Sequence, residues 1–183
     1  LAALDPAPDG VIIASPANPT GTIIPRDELQ AIADVCAKRG ITVISDEIYH
    51  GISYGQRTPS MLEVLPEALI VNSFSKYFSM AGWRLGWLLV PPSGIDAARA
   101  RMGNLFLTPP SLAQHAGLVA MDCREELEGH LQTYARNRAT LYTCQFVATA
   151  STVLIEMGQL FGGNDGGAIQ HTRAGIPAGT LSI

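Results

Sequence analysis

Short apolar runs mark the first half of the chain, at residues 11–14, 41–45, 69–71 and 87–90. Continuous runs of this length are typical of strands buried in a parallel sheet. Between the first two runs, apolar residues recur at helical spacing from Leu29 to Cys36, and Gly40 follows as a helix C-cap. This strand–helix–strand order predicts an α/β fold with a mostly parallel sheet and flanking helices.

The second half of the chain has a different pattern. From Ile95 the apolar positions follow a helical period, and residues 111–121 and 125–142 each predict an amphipathic helix. After about residue 145 the sequence is rich in glycine, and no clear period remains beyond Leu160. We therefore divide the chain into an α/β part, residues 1–144, and a tail of atypical sequence, residues 145–183, which we predict to be flexible or poorly folded.

Composition narrows the classes of function. A chain of 183 residues with 47% hydrophobic residues has the size of one domain with a sizeable core. A net charge of −4 does not indicate the basic surface that binds nucleic acid. No apolar run approaches the length of a membrane-spanning helix. Three widely spaced cysteines have no metal-type spacing. We expect Cys36 and Cys123 to be buried in helices, in a reducing compartment such as the cytoplasm.

Polar residues follow the predicted strands at positions where a ligand would bind. Asn18, Asp46 and Lys76 each come after a strand, so the carboxyl edge of one parallel sheet would hold all three. A lysine in a dry pocket there has a lowered pKa and a nucleophilic amine, as a Schiff-base lysine requires. The Asp46 carboxylate at this edge requires a polar or charged partner, because an unpaired charge there is costly. Alternatively, Asp46 caps a helix or turn. Within a helical turn, Tyr49 would lie on the same face as Asp46, which is three residues earlier. His50 has no metal-binding cluster beside it, so we predict a structural or rim histidine.

Four motifs combine these residues: Asn-Pro-Thr-Gly at 18–21, Asp-Glu-Ile-Tyr-His-Gly at 46–51, Ser-Phe-Ser-Lys at 73–76 and Gly-Trp-Arg-Leu-Gly at 82–86. In this order and at these spacings they resemble the class I and II aminotransferases, which are pyridoxal-phosphate enzymes of fold type I. The resemblance extends from about Val11 to about Thr143. It implies that residues 1–144 are part of the cofactor-binding large domain.

The resemblance also implies a set of site residues. They are Asn18, Asp46, Tyr49, Ser73, Ser75, Lys76 and Arg84 for the cofactor, with Lys76, Asp46 and Tyr49 also catalytic. Lys76 would form the Schiff base and move the substrate proton, and Asp46 would keep the ring nitrogen protonated. Tyr49 and Asn18 would bind the phenolic oxygen. The two serines and the arginine would hold the phosphate.

The implied reaction is transamination between an amino acid and a 2-oxo acid in a homodimeric enzyme. A C–S lyase or a decarboxylase of the same fold would use the same residues, so these alternatives stay open. Two non-catalytic alternatives also stay open. One is a truncated aminotransferase-like domain, and the other is the sensor half of a transcription regulator.

Some family features have no counterpart in this sequence. The phosphate loop and the ring-stacking aromatic that family members carry upstream do not precede Leu1, and the setting of Arg173 does not match that of the substrate-binding arginine. Ala81 stands where threonine is common. We therefore expect an incomplete reading of a longer gene, without its small domain and with an altered reading frame after Tyr142.

Overall fold

The computed structural model describes residues 1–148 and the segments 153–155, 167–171 and 179–181, with side chains described for residues 1–141. Its main sheet has the order β1-β2-β3-β4. The strands are β1 (Gly10–Ala14), β2 (Thr42–Asp46), β3 (Leu69–Ser73) and β4 (Gly86–Leu89). The sequence predicted all four strands to within two residues at each end.

The sheet is mixed but mostly parallel, as predicted. β1 pairs with β2 in parallel from Gly10 opposite Thr42 to Ala14 opposite Asp46. β2 pairs in parallel with β3, where Asp46 lies opposite Val71. Only β4 is antiparallel to its neighbour in this sheet. The last residues of β1 and β2 therefore end at the same edge, and the end of β3 lies beside them.

Helix α1 (Arg26–Arg39) covers the sheet and closes the core. Asp27 and Glu28 lie in its first turn and Lys38 in its last, so these charges complement the helix dipole. Gly40 ends the helix in the left-handed conformation with φ 67°, as a C-cap glycine does. The core consists of Leu29, Ala33, Cys36, Ile41, Val43, Met61, Ala68 and Ile70.

Three further helices follow: α2 (Ile95–Phe106), α3 (Ser111–Ala120) and α4 (Arg124–Ala148). The last continues past residue 142, where the sequence pattern placed its end. Cys123 is half-buried in the turn between α3 and α4, so its predicted helical burial was wrong. The reason is the break at residues 121–123, which separates the two apolar patterns. No helix within the described residues is both long and apolar enough to cross a membrane.

The described part of the predicted tail contains a second, antiparallel sheet of order β5-β6-β7. Its strands are β5 (Val153–Ile155), β6 (Gly167–His171) and β7 (Gly179–Leu181). Residues 145–148 form the end of α4, and residues 149–152, 156–166, 172–178 and 182–183, which include Arg173, lie outside the described residues. The domain boundary at residue 144 and the flexibility of the tail therefore stay predictions.

Candidate active site at the carboxyl edge of the sheet

Backbone hydrogen bonds join the segments that leave the three parallel strands. The Ser15 amide donates to the Asp46 carbonyl at 3.2 Å, and the Glu47 amide donates to the Val71 carbonyl at 2.9 Å. These bonds continue the sheet by one residue beyond β1 and β2. The loops that carry the predicted site residues therefore start side by side.

Asn18, Tyr49 and Lys76 come together at this edge. The Asn18 amide nitrogen donates to the Tyr49 hydroxyl oxygen at 3.3 Å. The Tyr49 side chain is buried, with 8% of its surface exposed. The Lys76 Nζ atom lies 5.6 Å from the centroid of the Tyr49 ring, within the range of a cation–π contact. Three residues far apart in sequence thus form one cluster.

Asp46 ends β2 and caps the turn that follows. Its Oδ1 atom accepts a hydrogen bond from the Ile48 amide at 3.1 Å. The segment then forms a turn closed by the His50 amide and the Glu47 carbonyl at 2.9 Å, so the helical turn that we predicted is absent. The physical reason is that an aspartate which binds the amide two residues on stabilises a turn instead of a helix. The carboxylate nevertheless stands at the predicted edge of the sheet.

The loop around Lys76 is held by its own backbone. The Ser73 hydroxyl accepts from the Ser75 amide at 3.1 Å. The Ser79 amide donates to the Lys76 carbonyl at 3.0 Å, and Ser79 itself has a left-handed φ of 55°. These bonds define a tight turn directly after β3. They give Lys76 a fixed backbone from which its amine projects.

An aromatic cluster anchors the same loop. The ring centroids of Phe74 and Phe78 are 4.8 Å apart, and the Trp87 ring meets Phe74 edge-on at 5.1 Å. The Phe74 side chain is buried, with 6% exposed. Because Phe74 and Phe78 flank Lys76 in the chain, the packing of their rings holds the loop against β4.

Helix α4 makes further contacts with residues 74–79, the lysine loop that carries Lys76. The sequence did not predict these contacts. The Tyr77 hydroxyl donates to Glu128 Oε1 at 2.9 Å. The Ser79 hydroxyl lies 2.9 Å from the Tyr134 hydroxyl and 3.3 Å from His130 Nδ1. Burial raises the pKa of Tyr77, and the hydrogen bond to Glu128 and the charge of that carboxylate raise it further.

Arg84 is placed near the lysine loop by its backbone alone. The Phe74 amide donates to the Leu85 carbonyl at 3.0 Å, which brings the arginine segment beside the two serines. Its guanidinium is exposed and donates to the Ala81 carbonyl at 3.0 Å. Within the described part of the chain, no hydrogen bond joins Arg84 to Ser73 or Ser75.

Glu47 was not among the predicted site residues, although its side chain supports the candidate site. Its carboxylate is buried, with 4% of the residue exposed, and it accepts hydrogen bonds from Ser45 in β2 and from Ser60 and Met61 in the segment before β3. His50 bridges the same carboxylate to the loop that carries Asn18. The available signal was a second carboxylate directly after Asp46 at the end of a buried strand, because a buried charge there requires partners.

The donor set at this edge fits pyridoxal phosphate. A carboxylate matches a protonated ring nitrogen, and an amide with a phenol matches a phenolic oxygen. An amine can react with an aldehyde, and hydroxyl groups with a guanidinium can donate hydrogen bonds to a phosphate. Among the described residues, no group of three or more histidine, cysteine, aspartate or glutamate side chains is placed to hold a metal ion. The residues at this edge therefore offer the donors and acceptors that pyridoxal phosphate requires.

Comparisons with known proteins agree with this chemistry. The family model for aminotransferase class I and II matches residues 1–145. A valine–pyruvate aminotransferase of Mycobacterium tuberculosis is 47% identical over 145 residues, which cover 77% of this chain and 37% of that protein. An aspartate aminotransferase of Geobacillus stearothermophilus is 38% identical over 129 residues, covering 68% and 33%.

Solved structures show the same similarity. The structure of an aminotransferase from M. tuberculosis has a TM-score of 0.72 at 47% identity and covers 76% of this chain and 37% of that one. The structure of the Thermus thermophilus aspartate aminotransferase with maleate has a TM-score of 0.74 at 30% identity, covering 85% and 41%. The chain thus spans little more than a third of the length of the curated relatives that it matches.

Proposed function

This chain belongs to the class I and II aminotransferase family, and from that premise we propose that it carries the cofactor site of a pyridoxal-phosphate-dependent aminotransferase. The substrates would be an amino acid and a 2-oxo acid. The observation that carries the proposal is the cluster of Asn18, Tyr49 and Lys76 on the sheet edge that also holds Asp46.

Each residue of the cluster has a defined task in this proposal. Lys76 would hold the cofactor through its Nζ amine, and the same amine would take and return the proton at the substrate Cα. The Asp46 carboxylate holds the proton on the ring nitrogen. The Tyr49 hydroxyl and the Asn18 amide bind the phenolic oxygen. When bound, pyridoxal phosphate supplies an electron sink for the charge left on that Cα.

The phosphate would bind at the start of the lysine loop. Ser73 and Ser75 are half-buried there, and the Arg84 segment runs beside them. The Arg84 guanidinium carries a planar fork of donors that suits a phosphate. In the structure the Arg84 guanidinium donates to the Ala81 carbonyl. To bind the phosphate, this side chain would have to leave the carbonyl and turn towards the two serines.

Covalent trapping tests the proposed site directly. The chain has only two lysines, Lys38 and Lys76, so each serves as the control for the other. The chain is incubated with pyridoxal phosphate, reduced with borohydride and mapped by mass spectrometry. We expect an adduct on Lys76 at concentrations that leave Lys38 unlabelled, and no adduct in Lys76→Arg. Equal labelling of the two lysines would refute the site.

A second assay separates transamination from the related reactions. The chain is supplied with pyridoxal phosphate and an amino acid, with and without an added 2-oxo acid. Transamination requires the added 2-oxo acid and converts it into the matching amino acid. Release of ammonia without it would indicate a lyase, and release of carbon dioxide a decarboxylase.

We further propose that the full-length protein is a homodimer in the cytoplasm. Large apolar side chains on and between α2 and α3 are exposed, which supports an interface there: Leu105, Phe106, Leu107, Leu112 and Leu118. Cys36 and Cys123 are both free thiols, which supports a reducing compartment. Size-exclusion chromatography with light scattering tests the dimer, and a monomeric mass at all concentrations would contradict it.

A further inference from the structure

A buried carboxylate lies directly behind the candidate site. Glu47 Oε1 accepts three hydrogen bonds, from the Ser45 hydroxyl at 3.1 Å, the Ser60 hydroxyl at 3.0 Å and the Met61 amide at 2.9 Å. The other oxygen, Oε2, lies 3.4 Å from His50 Nδ1. Since Oε1 already accepts three donors, a proton on this carboxyl group would have to reside on Oε2, facing the histidine.

The other nitrogen of His50 fixes the protonation of the ring. Its Nε2 atom lies 3.0 Å from the Ser15 carbonyl oxygen. A carbonyl only accepts, so Nε2 must carry a hydrogen. Nδ1 then faces a carboxylate oxygen, which repels a bare lone pair. The contact is favourable only if a proton lies between Nδ1 and Oε2, on one atom or the other.

This pair connects the two loops that form the Asn18–Tyr49 contact. Ser15 is the first residue after β1, and its hydroxyl accepts a hydrogen bond from the Ile24 amide at 3.0 Å, so it closes the base of the loop that carries Asn18. Tyr49 lies between Glu47 and His50 in the turn after β2. Rotation of either side chain would therefore remove the contact by which the turn after β2 binds the Ser15 carbonyl.

We propose that Glu47 and His50 share one proton and act as positioning residues that hold Asn18 and Tyr49 at hydrogen-bonding distance. Neither side chain needs to touch a ligand for this role. The shared proton is a property of the chain alone. Only its consequence for pyridoxal phosphate rests on the proposed function.

Nuclear magnetic resonance of the ligand-free chain tests the shared proton. A long-range ¹H–¹⁵N spectrum of the imidazole side chains distinguishes the tautomers, and His50→Gln assigns the His50 signals. We expect a protonated Nε2, together with either a protonated Nδ1 or a Glu47 carboxyl carbon with the shift of an acid. A neutral ring protonated on Nδ1, or a neutral ring beside an ionised Glu47, would overturn the proposal.

Matched variants test the positioning role. His50→Phe removes the donor to Ser15, whereas His50→Gln keeps one. We expect His50→Phe to weaken pyridoxal phosphate binding and trapping at Lys76 about tenfold, the fold-change of one lost hydrogen bond. His50→Gln should recover most of that loss. Glu47→Gln should weaken binding similarly, while Glu67→Gln, the same change at an exposed residue, should not.

The outcomes separate this proposal from the proposed function. If the parent chain binds no pyridoxal phosphate, the proposed function fails, and the tautomer measurement still decides the shared proton. If the parent binds and His50→Phe binds equally well, the positioning role is refuted. Thermal unfolding of each variant shows whether it folds. If His50→Phe does not fold, the positioning role is tested by comparing His50→Gln with Glu47→Gln. The role requires Glu47→Gln to bind pyridoxal phosphate more weakly than His50→Gln does.

Discussion

The Asn18 amide and the Tyr49 hydroxyl meet at 3.3 Å across 31 positions of sequence. The two residues occupy loops that follow neighbouring parallel strands, and the amide donates to the phenolic oxygen. This bond is the direct link between the side chains of those two loops at the candidate site. It also sets the position of the ring that Lys76 faces.

A double-mutant cycle measures the coupling across this contact. We compare Asn18→Ala, Tyr49→Phe and the double variant by urea unfolding. A hydrogen bond between partly exposed groups contributes about 0.5–1.5 kcal/mol, and at this length we expect the lower end, about 0.5 kcal/mol. Additive losses within the error of the measurement would show that the two side chains do not interact in solution.

Gly51 is the position at which a methyl group should be most damaging. Its φ is +91°, and a Cβ there would lie 2.6 Å from the Tyr77 ring. Left-handed backbone costs about 1–2 kcal/mol for an L-residue, and displacement of a held ring adds about 1–3 kcal/mol. We expect Gly51→Ala to lower the free energy of unfolding by about 2–5 kcal/mol.

Gly55 provides the matched control for this substitution. Its φ is +74°, and nothing lies within 4 Å of a Cβ built there. Gly55→Ala therefore carries the backbone cost alone, about 1–2 kcal/mol. The same urea unfolding measurement applies to both variants. Equal losses would mean that the contact between Gly51 and Tyr77 contributes nothing.

Local patterns were sufficient to predict the strands, α1 and the common edge of Asn18, Asp46 and Lys76. Buried strands require continuous apolar runs, and Gly40 ends α1 because only glycine enters the left-handed cap at little cost. Once three strands are parallel, their carboxyl ends must share an edge. The placement of these site residues therefore follows from topology, without knowledge of side-chain contacts.

The remaining features depend on contacts that leave no periodic signal. Tyr77 and Glu128 are 51 positions apart, and either residue alone would suit an exposed surface. The turn after Asp46 results from competition between a side-chain cap and a helix, which a propensity scale does not resolve. The backbone of Arg84 has a left-handed φ of 52°, which no periodic pattern indicates.

Glu63 should make the stability of the connection before β3 depend on pH. The hydrogen bond from the Ser60 amide is the largest effect and lowers the pKa of this carboxyl group; desolvation opposes it, and Arg57 and Arg26 lower the pKa further. A carboxyl group with a pKa lower in the folded than in the unfolded state stabilises the fold above the unfolded value. That stabilisation disappears as the pH falls through the folded value.

The pH dependence of unfolding checks this effect. We compare the parent with Glu63→Gln by urea unfolding between about pH 6 and about pH 3, a range that spans the ordinary carboxyl pKa. The parent should be the more stable at the upper end, and the difference should shrink as the pH falls. Glu67→Gln serves as the control at an exposed site. A difference that stays constant over this range would contradict the assignment.

Tyr77 should titrate later than an ordinary tyrosine and should report the docking of the lysine loop on α4. Burial raises its pKa first, followed by the hydrogen bond to Glu128 and the charge of that carboxylate. A phenol with a raised folded pKa stabilises the fold below its unfolded value, about 10, and this stabilisation is lost as the pH rises through the folded value.

Ultraviolet titration of phenolate absorbance measures this directly, as the difference between the parent and Tyr77→Phe. We expect a midpoint above about 10 for Tyr77 in the parent. Glu128→Gln should move the midpoint down because it removes the negative charge, although burial still keeps it raised. Glu125→Gln, an exposed residue of the same helix, should leave it unchanged. If Glu128→Gln and Glu125→Gln give the same midpoint, Tyr77 is not bound to Glu128, and α4 does not hold the loop that carries Lys76 through this bond.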